Sequence, residues 1–170
     1  LDGAIAGAEV VPATDPPTTR RVDLSIAASG ETRLGSSADL RSLSISSAGD
    51  SVVFGGDVVA DRSIEIAFEG PGTGTVSNAG TGVTLHTNRV ELAASDSSET
   101  DGRTAQIVLG EAVNLDLYAT TGTTLAPAAL VLDQDGAIDS ASVSRLADAV
   151  AVAGVTDLAL ALRSNDAVSL

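Results

Sequence analysis

The sequence predicts an all-β chain, wound as a right-handed parallel β-helix with about 20 residues to a rung, with a β-sandwich as the alternative. Three observations carry this. One short strand phrase recurs along the chain, glycine-rich corners separate its copies, and aromatic residues are nearly absent.

The phrase is any residue, an apolar residue, any residue, an apolar residue. It occurs as Asp23-Leu24-Ser25-Ile26, Ser42-Leu43-Ser44-Ile45, Ser63-Ile64-Glu65-Ile66 and Arg89-Val90-Glu91-Leu92. Further copies are Asn114-Leu115-Asp116-Leu117, Ala129-Leu130-Val131-Leu132 and Asp157-Leu158-Ala159-Leu160. Strict alternation is the period of a strand with one buried face. Successive copies start 19, 21, 26, 25, 15 and 28 residues apart, an irregular spacing that centres near the length of one solenoid turn.

Between the copies lie glycines beside Asp, Ser, Thr or Asn, as in Ala48-Gly49-Asp50, Gly55-Gly56-Asp57 and Asp135-Gly136. Such residues make corners. Aromatics amount to 2% of the chain, namely Phe54, Phe68 and Tyr118, so a core must be built from Val, Leu, Ile and Ala. Stacked parallel strands suit small branched side chains. Residues 142–153 are the one stretch resembling a helix, with Leu146, Val150 and Ala153 on one face, and the Val/Ala alternation there favours a strand. Residues 1–21, with Pro12, Pro16 and Pro17, read as an irregular lead-in or linker. Residues 22–170 read as the repeat domain.

Composition excludes several function classes. The net charge is −14 with no lysine and no basic patch, which argues against nucleic acid and anionic membrane surfaces as partners. No apolar run is long enough to span a bilayer. Cysteine is absent, so disulfides, thiol nucleophiles and cysteine metal sites are ruled out.

The stretch "SLSISSAGDSVVFGGDVVADRSIEIA", together with "TGVTLHTNRVELAAS" and the cadence around "LVLDQDGAIDSAS", resembles filamentous-haemagglutinin-type adhesins of two-partner secretion. The resemblance covers roughly residues 38–170. It implies a secreted or cell-surface, elongated β-helix that displays surfaces for adhesion to cells, polysaccharide or further adhesin molecules. It brings no catalytic residues with it. This chain lacks the family's amino-terminal secretion domain and great length, so the resemblance implies a segment or a short relative.

Candidate sites are few. His86 is the sole histidine, and it sits in the strand phrase "VTLHTNRV" with no Gly-x-Ser-x-Gly elbow in the chain. It reads as an outward-facing strand residue. Asp133-Gln134-Asp135-Gly136 begins like a calcium loop, but position twelve is Ser144 rather than Glu. Asp133 and Asp135 therefore stand as calcium candidates at a corner, as do Asp96, Glu99 and Asp101 in "SDSSETDG". No other cofactor is expected. Asp61 with Glu65 or Glu91 is the carboxylate pairing to consider for glycan chemistry.

The expected function is an extracellular structural or adhesive module, not an enzyme, acting through its surface and by stacking on adjoining segments or other copies. One alternative is a self-assembling β-sandwich subunit of a filament or surface layer, with residues 1–21 as a donor-strand arm. Another is a β-helix enzyme acting on polysaccharide. The ending "AVSL" offers no polar cap, which predicts apolar stacking surface and open strand edges at that end.

Overall fold

Outward and inward positions alternate so regularly after residue 21 that strands stack with their apolar rows superposed. The computed structural model describes residues 5–6, 8–11, 18–49, 51–96, 104–118, 127–153 and 158–169. Among these the chain is mostly strand, with one short helix. The strands are β1 (Ile5–Ala6), β2 (Ala8–Val11), β3 (Thr18–Ala28), β4 (Thr32–Leu34), β5 (Ser37–Ser47), β6 (Ser51–Phe54), β7 (Val58–Glu69) and β8 (Thr73–Asn78). They continue as β9 (Val83–Thr87), β10 (Arg89–Ser95), β11 (Gln106–Leu109), β12 (Val113–Tyr118), β13 (Ala128–Gln134), β14 (Val150–Ala153) and β15 (Leu158–Ser164), with helix α1 (Ser140–Ala149) before β14.

The chain passes back and forth between two sheets. The smaller holds β4, β6, β8 and β11, all parallel. The larger holds the remaining eleven strands. Its main ladder, β3-β5-β7-β10-β13-β15, is parallel throughout. A second run in the same sheet, β9-β12-β14, is also parallel. The sheet curls where the two runs meet, because β7 pairs with β9 through Val58 and Val59 and with β10 through its later residues. Antiparallel pairing among the described residues is confined to β2 with β3.

The strand phrases from Asp23, Ser42, Ser63, Arg89 and Ala129 stand directly in register. Their inner residues form two continuous rows. One is Leu24, Leu43, Ile64, Val90, Leu130, Leu160; the other is Ile26, Ile45, Ile66, Leu92, Leu132, Leu162. The middle members of both rows are buried. Full burial of each such side chain contributes about 1.5–3 kcal/mol, so the rows are the main source of cohesion. The smaller sheet faces them with Leu34, Phe54, Val52, Val76, Ile107 and Leu109. Gly74 lies under Phe68, where a Cβ would overlap the ring.

Four expectations are corrected. The recurrence is near 20 residues only at first: after Arg89 the ladder resumes at Ala129, and after that at Ala159. The phrase at Asn114 belongs to the second run, paired with Thr84. The last phrase is offset by two, since Leu160 and not Leu158 is the partner of Leu130. Finally, residues 142–153 are not all strand. Asp139 caps a helix by accepting from the Ser142 amide at 2.8 Å, and the strand begins only at Val150. The helix wins because Val143, Leu146, Ala147 and Val150 fall three to four residues apart and share a face, with Leu146 buried.

The lead-in likewise contains regular structure in its described parts. β1 pairs with the start of β5, and β2 folds back on residues 18–21. Pro12, Pro16 and Pro17 lie outside the described residues.

Candidate functional site

Outward side chains on β9 and β12 are set opposite each other by the register His86↔Asp116. His86 Nδ1 lies 2.6 Å from Asp116 Oδ2. With its proton on Nδ1 the imidazole donates to the carboxylate and keeps Nε2 as an acceptor. Tyr118, two residues beyond Asp116 on the same face, stacks on the imidazole with ring centroids 4.3 Å apart and planes 23° from parallel. Its hydroxyl reaches back to the Ala60 carbonyl at 3.2 Å and the Asp61 carboxylate at 3.5 Å. Asp61 is also paired with Arg21. Beneath, Asn88 donates to the Tyr118 carbonyl at 2.9 Å and so fixes the corner between β9 and β10.

Burial pushes the Tyr118 phenol above its ordinary value; the Arg21 cation pulls the other way and the Asp116 carboxylate adds to the rise. The phenol therefore remains a neutral donor at physiological pH. The cluster is a half-exposed aromatic platform with carboxylates on either side. It orients an imidazole through the Asp116 carboxylate.

Asp61, considered above as one of a carboxylate pair, is thus engaged by Arg21 and Tyr118. Glu65 and Glu91 are direct neighbours across β7 and β10. Like charges in that position repel, and Arg89 offsets them by holding Glu91 Oε2 at 2.6 Å. Asp61 is four residues from Glu65 along β7, and the register with β5 shifts between Ala60 and Ser63.

The calcium candidates separate into those the structure joins and those it does not. Asp135 accepts from the Asp96 amide at 2.7 Å and from Asn165 Nδ2 at 2.5 Å, so both its oxygens bind the neighbouring corners. Asp133 faces Arg163 at 3.4 Å. Glu99 and Asp101 lie outside the described residues. Among the described residues no three acidic or imidazole side chains converge as a metal site would need.

A cleft of about 300 Å³ lies between α1 and β11, floored by Leu92, Leu109, Leu132 and Leu146. Arg145 closes one side, donating to the carbonyls of Gly110 and Val113. No helix among the described residues is long and apolar enough to cross a membrane.

Sequence reasoning found His86 but missed Asp116, Tyr118 and Arg21. The signal was available in "VTLHT" and "VNLDL", two phrases that superpose Val on Val, Leu on Leu and His86 on Asp116. No family model matches the chain, and no curated protein or solved structure matches it.

Proposed function

We propose that the chain is a secreted or cell-surface adhesive module, built as a right-handed parallel β-helix of the filamentous-haemagglutinin type, and that it binds polysaccharide without turning it over. The observation that carries this reading is the His86–Tyr118 stack with Asp61 and Asp116 beside it, on the outside of a parallel stack. A flat ring suits the apolar face of a sugar, and flanking carboxylates accept from its hydroxyls. The rest of the outer ladder sets Ser25, Ser42, Ser44 and Ser63 in register beside the charged Asp23, Glu65, Arg89 and Glu91, a polar surface open to a hydroxyl-rich ligand.

The test is retention of cell-surface polysaccharides on the immobilised chain, with the eluate checked for cleavage. Retention without cleavage is expected, and it should fall in Tyr118→Ala, which removes the ring on which the sugar face packs. Cleavage that disappears in Glu65→Gln or Glu91→Gln would make the chain an enzyme and overturn the reading. Recovery of the native protein from inside the cell would overturn its location.

A further inference from the structure

Two ties fix α1 along β11. Just before the helix, the Gly136 amide donates to the Ala105 carbonyl at 2.8 Å. Farther on, Arg145 donates through Nη2 to the carbonyls of Gly110 and Val113. A helix with its side chains is about 10–12 Å across, whereas neighbouring strands lie about 4.7–4.9 Å apart. A helix laid where a strand would pair therefore stands off from the sheet, and the cleft of about 300 Å³ between α1 and β11 is the space left. That volume lies at the lower end of the range for small-molecule sites. The cleft is internal to the stack, since Ile138, at the foot of α1, is itself bridged to Val168 in a further pass of the chain.

The lining divides into two kinds. Leu92, Ile107, Leu109, Leu132 and Leu146 are apolar and come from both sheets and the helix. The polar groups are mostly engaged. Asp139 accepts from the Ser142 amide, and Gln106 Nε2 donates to the Ala137 carbonyl at 3.4 Å. Arg145 is the exception. Both its hydrogen bonds come from Nη2, and among the described residues its Nε is buried with no acceptor. No salt bridge among the described residues includes it. A guanidinium is charged at every physiological pH, so the cleft has a fixed cation met only by neutral carbonyls.

We propose that this cleft binds a small molecule with one carboxylate and an unbranched apolar body, of the medium-chain fatty acid class. The carboxylate lies against the Arg145 guanidinium, and the body runs over the leucines toward Asp139. This goes beyond the polysaccharide reading and shares no residue with the His86–Tyr118 platform. Three features select the ligand. The head is an anion because two carbonyls hold the guanidinium in place before any ligand arrives, which lowers the ordering cost of a charge-assisted hydrogen bond. The ligand has a single charge because Asp139 stands six residues back along the chain, about 9 Å in helical rise, and repels a carboxylate at the far end. The body is apolar because the leucine floor gains from being covered by apolar surface.

Octanoate is the probe, titrated into the intact 170-residue chain and followed by calorimetry and by methyl resonances. One saturable site is expected, with a dissociation constant at or below about 1 mM. The methyl signals of Leu109, Leu132 and Leu146 should shift, while those of Leu43 and Ile45, farther down the ladder, stay in place. Octanol keeps the body without the charge, acetate keeps only the head, and suberate has a carboxylate at each end. Each should bind at least about tenfold more weakly. Arg145→Gln should weaken octanoate by a similar factor. Because that substitution also alters the ties to Gly110 and Val113, Ala141→Phe is the independent check. Ala141 is an exposed residue of the cleft lining in the first turn of α1, so a ring there fills the cleft and leaves Arg145 in place. Octanoate binding should vanish with circular dichroism unchanged. Equal affinity for octanol, or full octanoate affinity in Arg145→Gln or in folded Ala141→Phe, would overturn the proposal. So would shifts confined to Leu158, Leu160 and Leu162, or a titration that fails to saturate in the millimolar range.

Discussion

Leu130 and Leu160 occupy the same inner row, one layer apart, yet Leu130 is 2% exposed and Leu160 54%. Both arise from the same alternating pattern, and both point to the same side of their strand. The difference teaches that alternation specifies which face is apolar, while burial depends on having a neighbour on each side along the stack. The smaller sheet provides the contrast. Its last strand, β11, is flanked by α1, whose Leu146 is buried and whose Arg145 is tied to the carbonyls of Gly110 and Val113. One edge is covered by a helix; beyond the other, no strand among the described residues pairs with β15.

The largest effect expected from breaking this comparison is at the covered layer. Leu130→Ala should cost about 2–5 kcal/mol, the range for a buried leucine whose cavity only partly collapses. Chemical denaturation of the variant checks it. A loss below about 1 kcal/mol would mean that the row is not packed on both sides.

Next comes the corner where the two sheets are joined. Gln134 is buried, accepts from the Ile107 amide at 3.2 Å and donates to the Ala137 carbonyl at 2.7 Å. Gln134→Leu keeps the volume but takes the partner from the Ile107 amide and leaves the Ala137 carbonyl to Gln106 Nε2 at 3.4 Å, at about 1–3 kcal/mol for an amide that water cannot reach. One layer on, Ser164 is in register with Gln134 and donates to the Gly136 carbonyl at 2.8 Å. Because that layer is open to water, Ser164→Ala should cost much less. Equal losses at the two positions would show that the last layer is as dry as the one before it.

How much of this was legible beforehand varies with the kind of information involved. The first four phrases and Ala129 could be stacked from sequence because alternation and corner glycines repeat together, and their registers hold. The phrase at Asn114 misled because ladder membership is decided at the corner around Asn88, a contact with residues some thirty positions away. Leu158-Ala159-Leu160-Ala161-Leu162 misled because a two-residue slip leaves its inner face unchanged. The helix was legible in part: Asp139 before an apolar stripe is a start signal, but the Val/Ala alternation that follows suits a strand as well. In the candidate site, His86 was visible as a single residue. Its partners were not, since Asp116 and Tyr118 reach it only through pairing across strands.

A smaller effect is expected at the helix that covers β11. The Ser142 amide and hydroxyl hold the Asp139 carboxyl below the usual carboxylate range. A group whose folded pKa is depressed stabilises the fold above its unfolded pKa, and that contribution fades as pH falls through the folded value. The cap should therefore hold at neutral pH and weaken progressively below about pH 4. Asp139→Asn keeps an accepting oxygen and should flatten this dependence, while Asp139→Ala should lose the cap at every pH. Hydrogen exchange at the β11 amides, followed against pH, checks it. An unchanged pH profile in Asp139→Asn would remove Asp139 as its cause.

The smallest effect is expected at the exposed member of the row. Leu160→Ala removes a side chain already half in water, and stability should change by less than about 1 kcal/mol. Chemical denaturation beside Leu130→Ala checks it. A loss as large as that of Leu130→Ala would mean that Leu160 is packed within its own chain as firmly as Leu130, and the contrast between the two leucines would then not follow from their exposure.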